Sequence, residues 1–349
     1  MEKIQDILLK IPSMRKQWQD FLRAFHLRPP DDLSQLDETV GIYDEVTGEL
    51  LACGSLKANV IQLVATCREE QVSSRFNAIL TELGRRLALR EIYHSFVFTK
   101  PEYRQSFEYL GFHELVRTDR AVLLEKGKPD IQDFLINFDL PEKTKGKSIA
   151  SIVMNANPFT LGHLSLVKKA VAENDLVYVF VLAADGSLFS PIERLELVRK
   201  ACVDLDNVMV SSGGDYMVSF ATFPSYFIPD EAEIVRYQTE LDAKLFGRWI
   251  VPNLGITSRY LGEEPFSPTT EIYNKTLLQE LGTQIEVKIV PREKTAKGEI
   301  ISATQVRLAI KAGNIPDIKE FLPSTTYAFI LENLENLRER EVKKNYRKK

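Results

Sequence analysis

The sequence contains little cysteine and no long apolar run. Its 349 residues include three cysteines, Cys53, Cys67 and Cys202, whose odd number and wide separation offer no zinc spacing and are typical of a reducing compartment. No apolar run approaches the roughly 18 residues that a membrane-spanning helix requires. Residues 1–21 also lack the apolar core and the small-residue cleavage site of a signal peptide. We therefore expect a cytoplasmic protein with no membrane partner.

Positive charge is not in excess either. The chain has 45 Lys and Arg residues against 49 Asp and Glu residues, which gives a net charge of −4. It therefore lacks the basic surface that marks a nucleic-acid-binding protein, and we expect no nucleic acid partner. The basic stretch REREVKKNYRKK at the C-terminus is expected to be the solvated end of a helix.

The first half of the chain has the pattern of an α+β domain. After an amphipathic first helix within residues 1–21, strands and helices are predicted in the order β-β-β-α-β-α-β. We place the strands at 38–43, 49–55, 60–66, 93–100 and in the region 113–125, and the helices at about 70–90 and 103–110. The polar segment DLPEKTKGKS (139–148) predicts a linker. We accordingly divide the chain into domains 1–140 and 141–349.

The second half alternates strands and helices. Predicted strands lie at 149–154, 176–183, 208–211, 257–261 and 285–290, and predicted helices at 164–173, 191–205, 270–281 and 303–312. Such alternation indicates a parallel sheet with helices on both faces. We therefore expect an α/β protein in which a doubly wound, Rossmann-like domain follows the α+β domain.

The stretch NANPFTLGH (155–163) joins the first strand of this second domain to its helix. In a doubly wound sheet, ligands bind at the carboxyl ends of the strands, and the free N–H groups of a helix start favour an anion such as phosphate. Thr160 is expected to cap the helix, Gly162 to admit a ligand close to the backbone, and His163 to face the anion. The alternative is that Thr160 is only a cap and His163 only a surface or core histidine.

A second helix start carries similar chemistry. In GEIISATQVRLAIKAG (298–313), Ser302 and Gln305 form a predicted capping box, and Gly313 is a predicted helix stop. The hydroxyls of Ser302 and Thr304, together with Arg307, would form a second phosphate site. The alternative is a helix with good end signals and no further role.

Together, TLGH and ISATQVR resemble the T/HxGH and ISxTxxR signatures of the nucleotidyltransferase superfamily. The resemblance implies that ATP binds here, that AMP passes to an acceptor oxygen and that pyrophosphate leaves. It implies that Thr160 and His163 stabilise charge at the α-phosphate, while Ser302, Thr304 and Arg307 hold the β- and γ-phosphates. Asn157, Phe159 and Gly162 are then also ATP-binding residues.

Longer segments resemble the citrate lyase ligase family, also called acetate:citrate lyase ligase. These segments are NANPFTLGH, SGGDYMVSFATFPSYF, RYLGEEPFSPTTEIYN and FTKPEYRQSFEYLGFHEL, within a similarity that runs from about Thr39 to Leu331. The front half resembles the GNAT acetyltransferase fold. The family resemblance implies an AMP-forming acid–thiol ligase that adenylates acetate with ATP. The acetyl group then passes to the phosphoribosyl-dephospho-CoA thiol of the acyl carrier (gamma) subunit, which activates citrate lyase in citrate fermentation.

Three rival functions stay open. An adenylyltransferase would act on a phosphate monoester such as phosphopantetheine. An acetyltransferase run by the front half would use acetyl-CoA, but the turn that carries glycines in GNAT proteins has Val72 and Ser74 here. The front half would instead recognise the carrier protein, bind a phosphopantetheine-like arm, or support the catalytic domain. A non-catalytic nucleotide sensor is the third rival.

Several residues have two readings. Arg259, Gly262 and Glu263 are placed at the carboxyl end of a predicted strand, where they contact either the nucleotide or only each other in a turn and ion pair. Family analogy places Asp215, Tyr216 and residues 222–227 in the acceptor pocket. The cation that binds acetate is one of Lys168, Lys169, Arg194 and Arg236, although a solvated Arg194 is the simpler reading. His94 and His113 are read as structural. We find no carboxylate cluster for a metal, and so expect Mg²⁺ to bind largely to the phosphates.

Overall fold

The computed structural model describes residues 1–67, 72–136, 138, 145–183, 187–217, 226–228, 231–263, 268–295, 298 and 300–347. The chain divides into two compact units. The first comprises Met1–Phe138 and Phe223–Leu241, and the second comprises Asp139–Thr222 and Asp242–Lys349. From the sequence we expected a single boundary near residue 140. In the structure, Phe223–Leu241 also belongs to the first unit.

The described residues of the first unit form a sheet with helices packed on it. Its strands are β1 (Glu2–Asp6), β2 (Glu38–Asp44), β3 (Leu50–Lys57), β4 (Val60–Thr66), β5 (His94–Thr99), β6 (His113–Arg117) and β7 (Val122–Gly127). Its helices are α1 (Pro12–Ala24), α2 (Val72–Leu89), α3 (Arg104–Glu108) and α4 (Ile131–Ile136). The strand order is β1-β2-β3-β4-β5-β7-β6, and only β4 and β5 run parallel. The predicted α+β architecture is confirmed.

Three elements of this unit differ from the prediction, and one of them, α4, has no predicted counterpart. Strand β1 lies where we expected the start of a helix, and α1 begins only at Pro12. All five residues of β1 are exposed on the edge of the sheet, so the strand has no buried face to give an alternating pattern. The predicted strand region 113–125 is a hairpin of β6 and β7, because the Thr118 hydroxyl accepts the N–H of Ala121 at 3.0 Å and closes a turn.

One core of the first unit lies between α2 and the sheet, and a second contains Trp18 and Leu22 of α1 with residues of β2, β3 and β4. Ile79 and Leu83 of α2 are fully buried against β2 and β3. At the end of β7, Gly127 has a φ of +99°, and a Cβ there would lie 1.8 Å from the Tyr93 carbonyl oxygen. Only glycine fits this position, because both the backbone conformation and the contact exclude a side chain.

The described residues of the second unit form a parallel sheet flanked by helices. Its strands are β8 (Ile149–Met154), β9 (Leu176–Val181), β10 (Val208–Ser212), β11 (Ser258–Gly262) and β12 (Glu286–Val290). The helices are α5 (Leu161–Glu173), α6 (Pro191–Ala201), α7 (Glu231–Leu245, which starts in the first unit), α8 (Val251–Leu254), α9 (Pro268–Leu281), α10 (Ala303–Ala312), α11 (Ser324–Glu332) and α12 (Leu334–Arg347). The strand order is β10-β9-β8-β11-β12 with every pair parallel. The predicted doubly wound sheet is confirmed.

The composition of the central strands explains their position. All six residues of β9 are buried, as are five of the six residues of β8. Strands covered by helices on both faces read as continuous apolar runs, which is how the sequence revealed them. Helices α7, α8 and α11 have no predicted counterpart. No helix within the described ranges has the length and apolar character needed to cross a membrane.

The C-terminal helix is only partly the solvated end that we expected. Leu337 of α12 is fully buried. Arg340 forms two hydrogen bonds to the carboxylate of Glu193, at 2.7 and 2.9 Å. This paired geometry ties α12 to the start of α6.

Candidate active site

The strand order defines where a ligand binds in the second unit. From β8 the chain adds β9 and β10 on one side and then crosses over to add β11 and β12 on the other, so β8 and β11 are neighbours at the topological switch point. In open parallel sheets, ligands bind in the crevice at the carboxyl ends of the two strands there. Residues 155–160 follow β8, and Glu263 follows β11. The NANPFTLGH stretch is therefore at the ligand edge.

Thr160 caps α5, as predicted. Its hydroxyl accepts the N–H of His163 at 3.4 Å, and its own N–H donates to His163 Nδ1 at 3.0 Å. This is a capping box in which a histidine takes the place that Glu or Gln usually fills. The position of the imidazole is thus fixed by the helix start itself.

This arrangement also fixes the proton on His163. A backbone N–H can only donate, so Nδ1 must carry the lone pair, and the ring proton of the neutral form is on Nε2. Burial, with a smaller effect from the positive charge of Arg292, lowers the pKa of His163 to about 4. The ring stacks on the fully buried Phe159, with centroids 5.6 Å apart and an interplanar angle of 17°. His163 is therefore a rigid, neutral Nε2–H donor at neutral pH.

The second motif is folded against the first. Arg307 Nη1 donates to the carbonyl oxygen of Asn157 at 2.7 Å, across 150 residues of sequence, and Nη2 donates to the Thr304 hydroxyl at 2.9 Å. The carboxamide oxygen of Asn157 accepts the N–H of Phe189 at 3.1 Å, which holds the turn. The two helix starts predicted to bind phosphates are thus brought together at one edge of the sheet.

Two details of these motifs differ from the prediction. Ser302 caps α10, but its hydroxyl accepts the N–H of Thr304 at 3.2 Å, and no capping box with Gln305 forms. A Cβ on Gly162 would lie 3.6 Å from the Ile301 carbonyl oxygen, an ordinary contact distance. The described surroundings of residue 162 therefore do not by themselves require glycine there.

Arg259 is not at the edge of the sheet, where we placed it. It is the second residue of β11 and is fully buried, and its Nη2 donates to the Tyr273 hydroxyl at 3.1 Å. The Asp242 carboxylate lies 3.6 Å from the same nitrogen, and the guanidinium lies 4.3 Å from the centroid of the Phe246 ring. Its placement is therefore corrected: the ion-pair reading describes this side chain better than nucleotide contact.

Gly262 and Glu263 do lie at the carboxyl edge. Within the described ranges, no atom lies within 4 Å of the position of a Cβ on Gly262. Glu263 is exposed, its N–H donates to the Val290 carbonyl oxygen, and its own carbonyl oxygen accepts from Arg292 Nε, both at 2.8 Å. These contacts tie the loops after β11 and β12 together.

The cations proposed for acetate have other surroundings. Lys169 pairs with Glu173 on the surface of α5, and Lys168 is exposed. Arg236 is exposed on the part of α7 that belongs to the first unit. Arg194 is fully buried, which corrects the expected solvated side chain.

Arg194 is held by backbone and side-chain oxygens. Its Nη1 donates to the carbonyl oxygen of Asn155 at 2.9 Å and also to the Asn155 side chain, and its Nε donates to the Phe189 carbonyl oxygen at 3.2 Å. The predicted capping box of Ser190 and Glu193 at the start of its helix is present. The hydrogen bonds from Arg194 to Asn155 thus stabilise the turn after β8.

Other predictions fall partly outside the described residues. Asp215 and Tyr216 form a short 3₁₀ turn after β10, but 218–225, 229 and 230 lie outside the described ranges. So do residues 68–71 of the turn compared with GNAT proteins. Among the residues that are described, no group of three His, Cys, Asp or Glu side chains is placed to hold a metal ion.

Arg292 lies at the same edge of the sheet, and the sequence analysis did not name it. It follows the carboxyl end of β12 by two residues and is half-buried. The sequence could have indicated its position, because a charged residue just after a predicted strand of a parallel sheet lies at the edge where ligands usually bind.

The first unit has a cavity of its own, with a volume of about 1200 Å³. Strands β4 and β5 pair only at Val60 with Phe96 and at Ile61 with Val97. The cavity is lined by the later residues of both strands, by α2 and α3, and by Tyr226, whose hydroxyl donates to the Phe98 carbonyl oxygen at 2.8 Å.

The fold and this edge define a class: a two-unit α/β protein whose doubly wound sheet has two helix starts and an arginine together at one edge. The citrate lyase ligase C-terminal domain family matches residues 149–330. The chain is 37% identical over 291 residues to the citrate (pro-3S)-lyase ligase of Haemophilus influenzae, covering 81% of this chain and 86% of that protein. It is 34% identical over 346 residues to the protein of the same name from Escherichia coli K12, covering 96% of each.

The chain belongs to the citrate lyase ligase family and is a ligase. The resemblance stated from its motifs is confirmed. A solved protein from Klebsiella pneumoniae described as an acyl-CoA N-acyltransferase is similar to 36% of this chain and 97% of its own, at 18% identity and a TM-score of 0.30. One from Vibrio parahaemolyticus described as a nicotinate-nucleotide adenylyltransferase is similar to 55% of this chain and 96% of its own, at 22% identity and a TM-score of 0.35.

Proposed function

We propose that this protein is an AMP-forming acid–thiol ligase that activates citrate lyase. It would use ATP and Mg²⁺ to convert acetate to acetyl-AMP, and then acetylate the phosphoribosyl-dephospho-CoA thiol on the acyl carrier (gamma) subunit. Its curated relatives are named as ligases of citrate lyase. The observation that carries the proposal is the 2.7 Å bond from Arg307 to Asn157, because it holds two helix N-termini at one edge, as a triphosphate requires.

In the first step, a carboxylate oxygen of acetate forms a bond to the α-phosphorus of ATP. The bond from that phosphorus to the bridging oxygen breaks, and its electron pair leaves with pyrophosphate. His163 donates its Nε2 proton in a hydrogen bond to an α-phosphate oxygen, whose negative charge increases in the transition state. Ser302, Thr304 and Arg307 hold the β- and γ-phosphates, while Asn157, Phe159 and Gly162 shape the turn beneath the nucleotide. No covalent enzyme intermediate is needed.

In the second step, the thiolate of the prosthetic group attacks the carbonyl carbon of acetyl-AMP. The carbon–oxygen bond to AMP breaks, AMP leaves with the electron pair, and the thiol proton passes to solvent. The mixed anhydride is needed because a free carboxylate has no good leaving group. Mg²⁺ would supply positive charge that offsets the triphosphate, and phosphate oxygens rather than a dedicated group of side chains would hold it.

The first unit has a place in this proposal. Its cavity of about 1200 Å³ is larger than the usual site for a small ligand and suits a long, flexible arm. Of the roles considered from the sequence, binding of the phosphopantetheine-like arm is therefore the one that we propose. Binding of pantetheine to the isolated protein, measured by calorimetry without ATP, tests this assignment separately.

The test of the main proposal is ATP–pyrophosphate exchange with the purified protein, Mg²⁺ and acetate. We expect exchange that requires acetate, because pyrophosphate can re-form ATP only from acetyl-AMP. The same assay with phosphopantetheine in place of acetate tests the rival adenylyltransferase. Addition of the carrier subunit with its free-thiol prosthetic group should then yield AMP and the acetylated carrier.

The His163→Asn variant tests whether His163 acts in the site. Asparagine keeps an acceptor near the position of Nδ1 but lacks the Nε2–H donor, so exchange should fall by about two orders of magnitude while the fold persists. Exchange that ignores acetate and requires phosphopantetheine would contradict the proposal. So would an absence of acetate-dependent exchange even when the carrier is present.

A further inference from the structure

Arg292 is the residue on which we base a further inference. It is fixed at the carboxyl edge of the sheet, because its Nε donates to the carbonyl oxygen of Glu263 at 2.8 Å. Glu263 in turn donates its N–H to the Val290 carbonyl oxygen at 2.8 Å. The guanidinium therefore sits on two strand ends that are neighbours in the sheet, β11 and β12.

The segment that carries Arg292 also contacts helix α5 and the segment just before α10. The carboxylate of the next residue, Glu293, accepts from the Ser165 hydroxyl of α5 at 2.9 Å. The carbonyl oxygen of Glu293 accepts the N–H of Ile301, which precedes the Ser302 cap of α10, at 3.2 Å. The residue next to Arg292 is thus bonded both to α5 and to the segment that leads into α10.

Its charge acts on the histidine of the site. Arg292 is the charged group whose positive field, together with burial, lowers the pKa of His163. Burial also lowers the pKa of Arg292 itself, an effect that the nearby Glu263 carboxylate opposes. A partly desolvated cation interacts with a new negative charge more strongly than a solvated one does.

We propose that Arg292 is a catalytic residue that acts with His163 on the α-phosphate. It would stabilise the charge that grows on the phosphate oxygens as the acceptor oxygen bonds to phosphorus and the electron pair leaves with pyrophosphate. Arginine suits this role because its planar guanidinium presents fixed donors to phosphate. The inference deepens the proposed function and rests on its nucleotidyl-transfer step.

The test compares Arg292→Ala and Arg292→Lys with Arg199→Ala. Arg199 is a matched control, since its Nε also donates to a strand carbonyl oxygen, that of Val210 at 3.4 Å, from an exposed position on α6. We expect Arg292→Ala to lower kcat for exchange by about 10²–10³-fold with KM for ATP within about threefold of wild type. Arg292→Lys should recover part of the rate because it keeps the charge, and Arg199→Ala should keep the full rate.

A second readout is independent of turnover. NMR titration of the His163 imidazole should show its pKa rising above about 4 in Arg292→Ala, by less than the shift that burial causes, but not in Arg292→Lys or Arg199→Ala, because the nearby charge is lost only in the first variant. If Arg292→Ala does not fold, Arg292→Gln replaces it. An unchanged kcat, a rise in KM for ATP at unchanged kcat, or an unchanged His163 pKa would each overturn the inference.

Failure of the proposed function is distinguishable from failure of this inference. The acceptor required by the wild-type protein decides the proposed function, whereas the ratio of variant to wild type decides the role of Arg292. The ratio is measured with whichever acceptor, acetate or phosphopantetheine, supports exchange. A wild-type protein that exchanges with neither would overturn both.

Discussion

Lowering the pH should leave His163 neutral to well below the usual range of a histidine. Its pKa is lowered from 6.5 to about 4, chiefly by burial and also by Arg292. At about 1.4 kcal/mol for each pH unit, this difference disfavours the charged ring by roughly 3 kcal/mol. Protonation would also require Nδ1 to give up the N–H of Thr160, 3.0 Å away. The hydrogen bond from Thr160 and the lowered pKa therefore both predict that His163 is neutral at pH 7.

The assay is NMR of the protein labelled with ¹³C and ¹⁵N in histidine. The chain has four histidines, so their ring signals can be followed individually, and the one lost in His163→Asn belongs to His163. We expect that signal to titrate with a midpoint near 4, and its ¹⁵N shifts at pH 7 to report an Nε2–H ring. His26→Asn is the control for removal of a histidine, since His26 is exposed and its φ of +56° suits asparagine.

The lowered pKa of His163 also makes the free energy of unfolding depend on pH. In the unfolded chain its pKa returns to about 6.5, so the unfolded state binds more protons between pH 6.5 and 4. The stabilisation from the neutral ring is thus fully present above pH 6.5 and is lost as the pH falls toward 4. A midpoint between 6 and 7, or an Nδ1–H ring at pH 7, would refute the reasoning about the capping box.

Two further predictions concern stability. Arg194→Met should lower the free energy of unfolding by roughly 2–4 kcal/mol, seen as a lower Tm by calorimetry, because the buried carbonyl oxygen of Asn155 loses its donor; an unchanged Tm would contradict this. Gly127→Ala should prevent a stable native first unit, because its Cβ would overlap the Tyr93 carbonyl oxygen. Gly262→Ala, where a Cβ meets no described atom within 4 Å, is the control and should leave the circular dichroism and Tm unchanged.

Much of the fold could be predicted because its signals are local. The predicted bounds of β4, β8 and α10 agree with the structure residue for residue, since short apolar runs, caps and a glycine stop mark these elements in the sequence itself. Strand β1 could not be predicted because its residues are exposed on an edge. The expected single boundary near residue 140 did not show that Phe223–Leu241 joins the first unit, since this depends on distant contacts.

The sequence by itself determined most of the order of strands and helices, the cap of α5 by Thr160, and the two motifs that place the chain in its family. Tertiary structure alone decided which of the charged side chains are buried. Arg194 and Arg259 are fully buried, whereas Arg292 is at the ligand edge. Periodicity and capping are properties of a few neighbouring residues. Burial and electrostatic surroundings depend on groups far away in the chain, such as Asn157, which Arg307 meets across 150 residues.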